Sequence, residues 1–315
     1  MISQIIAKDN ANQWDSLPKG WVFYALKSAD GYLFMGVSAR LGARMHAFWE
    51  KAKEDKVLKE MQDQAQVLDY QPMPDSMSAL IMLKTMLMEH HPEYQQRLRL
   101  WEEYVYLALD SHRFPFVGIQ EHSNDDWQYL GPFRSRFFVA DVIDTLSRIL
   151  KLPACETASY PCSKFDSGIC RGWCLALAPA GETPLEHDLE KLHDLLQESF
   201  VHPQNGILEM VQKERDQYFD NLEFPKADLL DDEIKLLKNY RDWLNFLYVA
   251  KDLSFESPQI TIAGGQLTHV RIGGKEYSFP TDNPQYRENE RLALPLAAVD
   301  EMKIIYDYIR ERAYA

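Results

Sequence analysis

The sequence predicts an α+β protein: a small mixed α/β domain, a cysteine-bearing connector, a helical region, and a small α+β domain at the end. Three observations predict it. Short apolar runs of strand type, bounded by turn residues, alternate with segments whose apolar residues recur at helical spacing. Aromatic residues make up 12% and charged residues 26% of the 315, the balance of an ordinary globular chain, which excludes wholesale disorder and fibrous repeats. No apolar run nears the ~20 residues of a membrane span, and the opening MISQIIAKDNANQWD lacks the layout of a secretory signal. A cytoplasmic protein with no membrane partner is therefore expected. Cytoplasmic thiols are kept reduced, so the four cysteines need a role other than disulfides.

The elements follow in order. Residues 21–26 and 32–37 are strand-like runs joined by Ser28-Ala29-Asp30-Gly31, a hairpin signal. Leu41, Met45 and Phe48 then fall at helical spacing, on a helix that also carries Arg40 and Arg44. A polar helical stretch over 51–66 leads to a third short strand at 67–70. A Met- and Leu-rich helix opens at Ser76 and stops near His90-His91-Pro92, because proline disfavours helix in the residue before it. These elements make up a first domain, 1–100.

Residues 104–109 and 116–119 read as paired strands, Tyr129-Leu130-Gly131-Pro132-Phe133 as a turn, and 137–150 as a helix. The cysteine segment 155–174 is expected on loops, within a connector of 101–180. A helical region, 181–245, is interrupted at 202–206 and at Phe224-Pro225. The last segment, 246–315, holds a hairpin with Gly264-Gly265 and Gly273-Gly274 turns and a closing helix from Leu296. The net charge of -14 is uneven: residues 1–100 hold 12 basic and 12 acidic side chains, whereas 181–315 hold 15 and 26. The chain is not a generally basic nucleic-acid binder, but its first part is neutral enough to meet DNA, and its acidic half suits protein partners.

Gly20-Trp21-Val22, then Phe34-Met35-Gly36, then Arg44 on the next helix, then Pro92-Glu93-Tyr94-Gln95 together resemble the GIY-YIG nuclease domain of the excision-repair family of UvrC and its short relative Cho. Residues 129–135 resemble the UvrC segment that follows this domain, and the cysteine region is similar too. Asn221-Leu222-Glu223-Phe224 and the residues after it resemble the UVR helical hairpin. Four motifs stand in family order over roughly residues 15–240. The resemblance implies a DNA-repair protein, with DNA and a UvrB-like protein as partners. On the 315 residues given, the family's C-terminal ribonuclease-H-like nuclease and helix-hairpin-helix modules are expected to be lacking.

Metal-dependent phosphodiester cleavage needs a carboxylate for the ion, a group to deprotonate water, and positive donors for the phosphate. The resemblance implies two tyrosines, a lysine, an arginine and a glutamate. Carried over by position, the tyrosines fall on Val22 and Phe34, the lysine on Val37 and the glutamate on Leu83; the family asparagine becomes Gln95, and Arg44 alone remains. A degenerate, non-cleaving domain is expected, and the protein is read as an accessory or regulatory factor. The alternatives are a Cho-like endonuclease making one Mg- or Mn-dependent incision with a rearranged centre, and a metal-cluster module for protein interaction.

Cys155, Cys162, Cys170 and Cys174 are spaced C-x6-C-x7-C-x3-C. Four thiolates in one short span suit a tetrahedral metal or an iron–sulfur cluster, whereas four small buried residues is the plain reading. The spacing lacks the C-x2-C pairs of zinc ribbons, and the resemblance implies a [4Fe-4S] cluster, with zinc as the alternative. In the UVR-like segment, Leu222, Glu223, Phe224, Leu229, Leu230 and Ile234 are the expected partner-binding residues; packing of their apolar members within the chain is the competing reading.

Overall fold

The computed structural model describes residues 1–7, 11–123, 126–152, 162–177, 189–281 and 292–313. Two compact units divide the chain. Residues 1–100, 250–283 and 297–315 form the first; 101–249 and 284–296 form the second.

The first unit holds two antiparallel sheets. Strands β1 (Ile2–Ile5), β2 (Lys19–Lys27), β3 (Tyr32–Arg40) and β4 (Val67–Pro72) lie in the order β1-β4-β2-β3. The alternation along β2 assigns its side chains to two cores, as a period of two requires. Val22, Tyr24 and Leu26 face helices α1 (Leu41–Lys51) and α2 (Lys56–Gln64), packing with Phe34, Leu41, Met45, Phe48, Leu58 and Met61. Phe23 and Ala25 face the other way with Met35, against Met82, Leu83 and Met86 of α3 (Ser76–His90). Asp55 caps α2, and Asp75 caps α3 by accepting from the Ser78 N–H at 2.7 Å.

Helix α3 is apolar on nearly every side, a pattern that fits burial on more than one face. Its other flank meets the second sheet: β8 (Phe255–Glu256), β9 (Ile260–Ala263), β10 (Gln266–Ile272) and β11 (Lys275–Ser278), ordered β11-β10-β9-β8. Met77 and Leu80 pack with Ile262, Leu267, Val270 and Phe279, and with Ile305 and Tyr308 of α10 (Val299–Ala313). Lys84 joins this interface with a 2.7 Å ion pair to Glu301 and a 3.0 Å hydrogen bond to the Leu267 carbonyl. Residues 246–315, which the sequence suggests as a separate domain, thus divide between the two units, and most of them share the core of the first. The Met-rich run of α3 is the trace of that second interface, since flexible thioethers fill irregular gaps.

A short helix α4 (Tyr94–Arg97) closes the first unit. Tyr94 is fully buried, and its hydroxyl accepts from Gln64 at 2.9 Å.

In the second unit, β5 (Val105–Leu109), β6 (Val117–Gln120) and β7 (Gln128–Phe133) form an antiparallel sheet ordered β6-β5-β7. The turn expected at 129–133 is therefore strand. Proline lacks an N–H, which an edge strand tolerates, and β7 is an edge. Gly131, at φ 136°, donates to the Leu292 carbonyl at 3.0 Å and accepts from Leu294 at 2.9 Å, a backbone conformation that a side chain would strain. Helix α5 (Arg136–Leu150) is capped by Ser135. After the four-residue α6 (Ser163–Asp166) come α7 (Leu189–Leu196), a π turn over Gln197–Val201, α8 (Ile207–Asp220) and α9 (Phe224–Ala250). The helical region is interrupted between Asp220 and Phe224, as expected, and Phe224-Pro225 stands in the first turn of α9, where the missing N–H costs no helical bond.

Helix α9 is anchored by specific bonds. Tyr240 donates to the Phe200 carbonyl at 2.6 Å and stacks on Phe133 at 5.8 Å. Trp243 Nε1 donates to the Pro132 carbonyl at 3.1 Å, and Arg148 of α5 reaches both Glu233 oxygens at 2.5 Å.

Candidate functional site

The nuclease-like positions are distributed over both faces of the first sheet. On the α1 face, Val22 is fully buried, Phe34 is 4% exposed, and Arg44 lies over the Phe48 ring at 4.8 Å. On the α3 face, Val37 sits opposite Phe23 in the β2–β3 register, and Leu83 packs against the Phe23, Ala25 and Met35 group. The structure thus brings Arg44 and Phe34 to one face and leaves Val37 and Leu83 on the other. Gln95 serves the fold, since its Oε1 accepts from the Met35 N–H on edge strand β3 at 3.2 Å.

Sequence reasoning missed Tyr24. Its hydroxyl is hydrogen-bonded by Arg44, and its ring lies 6.3 Å from Phe34. It sits opposite Gly36, where a Cβ would come 2.6 Å from the Tyr24 oxygen. Glycine at 36 therefore gives the tyrosine its seat. The available signal was strand parity, since Tyr24 shares the face of Val22 two residues on. Burial pushes the Tyr24 phenol above its ordinary value, and the nearby Arg44 offsets this only in part. At neutral pH the group is a neutral phenol that holds an arginine.

Cys155 lies outside the described residues. Cys162 precedes α6 at its N-cap position, and Cys170 and Cys174 line one cavity of about 230 Å³ with Trp173, Leu152 and Phe116. Thiols are the right donors for iron or zinc. Among the described residues, no three His, Cys, Asp or Glu side chains gather to hold a metal. Of the three described cysteines, Cys170 and Cys174 share this cavity and Cys162 does not line it.

The UVR-like residues separate cleanly by burial. Leu230 and Ile234 are 8% and 5% exposed and belong to the core of the second unit. Leu222 at 73%, Leu229 at 67% and Phe224 at 45% face solvent. Phe219 meets Phe224 edge-on at 5.4 Å, and Arg215 pairs with Asp231 at 2.6 Å, so α8 and α9 are tied beside this surface. Leu222 takes the left-handed conformation at φ 60° between the helices, and Glu223 pairs with Lys226. Leu222, Phe224 and Leu229 are thus exposed apolar residues with the Arg215–Asp231 and Glu223–Lys226 pairs beside them in sequence.

The comparisons with known proteins give a likeness to UvrC proteins. Residues 104–182 match the family described as UvrC/Cho excinuclease, middle domain. The chain is similar to UvrABC system protein C of Pseudothermotoga lettingae, 26% identical over 164 residues, covering 50% of this chain and 29% of that protein. It is 21% identical to the protein of that name from Methanococcus maripaludis, over 78% of this chain and 45% of the relative. The Caldicellulosiruptor saccharolyticus protein is 24% identical over 71% and 38%. The chain spans less than half the length of each of these relatives. No solved structure matches it. No helix among the described residues is long and apolar enough to cross a membrane.

Proposed function

We propose that this chain is a non-cleaving, UvrC-like DNA excision-repair factor that binds DNA and a UvrB-like protein. The observation that carries this reading is the apolar character of the nuclease-type positions. Val22 and Phe34 are core residues beside Arg44, while Val37 and Leu83 supply no ligand or base on the opposite face. Partner docking is supported by the exposure of Leu222, Phe224 and Leu229, and residues Leu230 and Ile234 support that surface from within. The test is incubation of the full chain with damaged duplex, UvrA, UvrB and Mg²⁺ or Mn²⁺. No incision above a chain-free control is expected; a nick that Arg44→Ala abolishes would overturn the reading.

The Tyr24 hydroxyl beside Arg44 favours a second reading, a Cho-like endonuclease that keeps two polar members of a centre and recruits its metal ligand elsewhere. The same assay decides between them. For the cysteines we propose a [4Fe-4S] cluster, with zinc as the alternative, held by Cys155, Cys162, Cys170 and Cys174. The thiol count and the cavity shared by Cys170 and Cys174 support it. Iron and acid-labile sulfide after anaerobic purification are expected; a colourless protein with stoichiometric zinc rejects iron.

A further inference from the structure

Arg134, Ser135, Arg136 and Phe137 are four consecutive exposed residues at the junction of β7 and α5. Phe137 is 83% exposed, more than any other large hydrophobic side chain among the described residues. It is not needed to seat α5. Phe138 turns inward to meet Phe133 at 6.2 Å, and Val139, Val142 and Leu146 supply the buried stripe. Arg134 lies over the Trp243 ring at 5.7 Å, and that indole is itself fixed by its bond to Pro132 and by edge-on packing with Phe246 at 5.1 Å. Arg136 approaches Glu121 at 3.6 Å, with both side chains more than half exposed, so water weakens the pair and leaves the guanidinium usable.

We propose that this surface binds an unpaired nucleotide of single-stranded DNA, its base stacked on Phe137 and its phosphates met by Arg134 and Arg136. An exposed flat ring that follows Arg136 directly, with Arg134 two residues further back, complements a ligand with a π face and an anionic backbone. An apolar protein segment would offer the two arginines no anion. Intact duplex hides its base faces, so the ring selects unpaired positions. The inference rests on the DNA-repair reading and names the form of DNA that reading leaves open.

The test measures binding of the full chain to a fluorescent oligothymidylate, an abasic oligonucleotide of the same length, and a blunt duplex, over a salt series. The oligothymidylate is expected to bind best. Phe137→Ala should weaken it about tenfold, the scale of one base–aromatic stack, and leave the abasic strand unchanged. Phe137→Trp should restore it. Arg136→Ala should weaken both single strands and flatten the log–log salt slope by about 0.7. Because Phe137 contributes so little to the core, unfolding of the alanine variant is not expected, and its thermal melt checks this. If wild type binds DNA and Phe137→Ala binds oligothymidylate equally well, or if duplex or the abasic strand is preferred, this inference fails while DNA binding stands. If the chain binds none of the three, both readings fall.

Discussion

Replacing Lys84 by Met tests whether the C-terminal residues are part of the first unit's core. The Lys84 ammonium meets Glu301 at 2.7 Å and the Leu267 carbonyl at 3.0 Å, and lies 4.9 Å from the centre of the Phe279 ring. Glu301 in turn accepts from the Leu267 N–H at 2.8 Å. The two charged side chains are only 17% and 18% exposed, so water replaces little of what is lost. Methionine keeps the aliphatic stem and removes the charge, leaving a largely buried carboxylate with one backbone donor. Breaking one partner of a buried pair costs about 3–5 kcal/mol. At roughly 2–4 °C per kcal/mol for a unit of this size, the melting temperature should fall by about 6–20 °C. Amide exchange across β10 and α10 gives the local readout, and both should lose protection together. The double variant Lys84→Met/Glu301→Gln should recover part of the loss, because no uncompensated charge remains. A single variant melting like wild type, with α10 protection intact, would refute the idea that this pair joins the C-terminal residues to α3.

Leu83→Glu is expected not to create cleavage, since the new carboxylate would sit on the α3 face against Phe23, Ala25 and Met35, across the sheet from Arg44. It should lower stability by about 1–3 kcal/mol in a urea titration, the usual cost of forcing a poorly partnered polar group into apolar packing. Leu229→Asp should change stability by less than about 0.5 kcal/mol, because the side chain is 67% exposed, yet reduce binding to a UvrB-like partner at least tenfold by calorimetry. Alkali should destabilise the chain. Burial raises the Tyr24 and Tyr240 phenols above the ordinary tyrosine value, so their contribution is complete below about pH 10 and is lost as pH rises from there toward the folded values. The urea midpoint should therefore fall as pH rises above about 10, and Tyr240→Phe should flatten that slope.

Much of the first unit was legible because its signals are local. The hairpin turn at 28–31 closes with Ser28 donating to Gly31, and the 76–90 helix has its Asp75 cap and stops before Pro92. One failure of local reading has a clear cause. Gly131-Pro132 looks like a turn, yet it lies on an edge strand, where proline removes nothing the structure uses. Strand β1 was not foreseen; with Ile2 and Ile5 exposed, it has too little buried alternation to signal a strand. The union of α3 with residues 250–281 and 297–313 depends on contacts across about two hundred residues, which periodicity cannot carry. At the candidate site, Arg44 was found from the motif, but Tyr24 was missed because the motif was aligned by its glycine rather than by the face its strand presents.

The pairing of Tyr24 with Arg44 has a packing role that needs no chemistry. Val22, Phe34 and Leu83 cost nothing to bury, and each adds apolar packing to a sheet that has helices on both faces. Arg44 is different: its guanidinium is half-buried, and a cation there needs an acceptor or it carries a desolvation penalty. The Tyr24 hydroxyl supplies that acceptor while remaining protonated, which suits a structural bond and disfavours service as a base. Gly36 leaves the ring its space. A tyrosine, a glycine and an arginine can therefore stand together as a packing unit with no metal ligand beside them, so their presence alone is weak evidence for catalysis. What an active centre needs beside such a unit is a carboxylate on the same face, and Val22, Phe34, Leu41 and Met45, which pack with Tyr24, supply none.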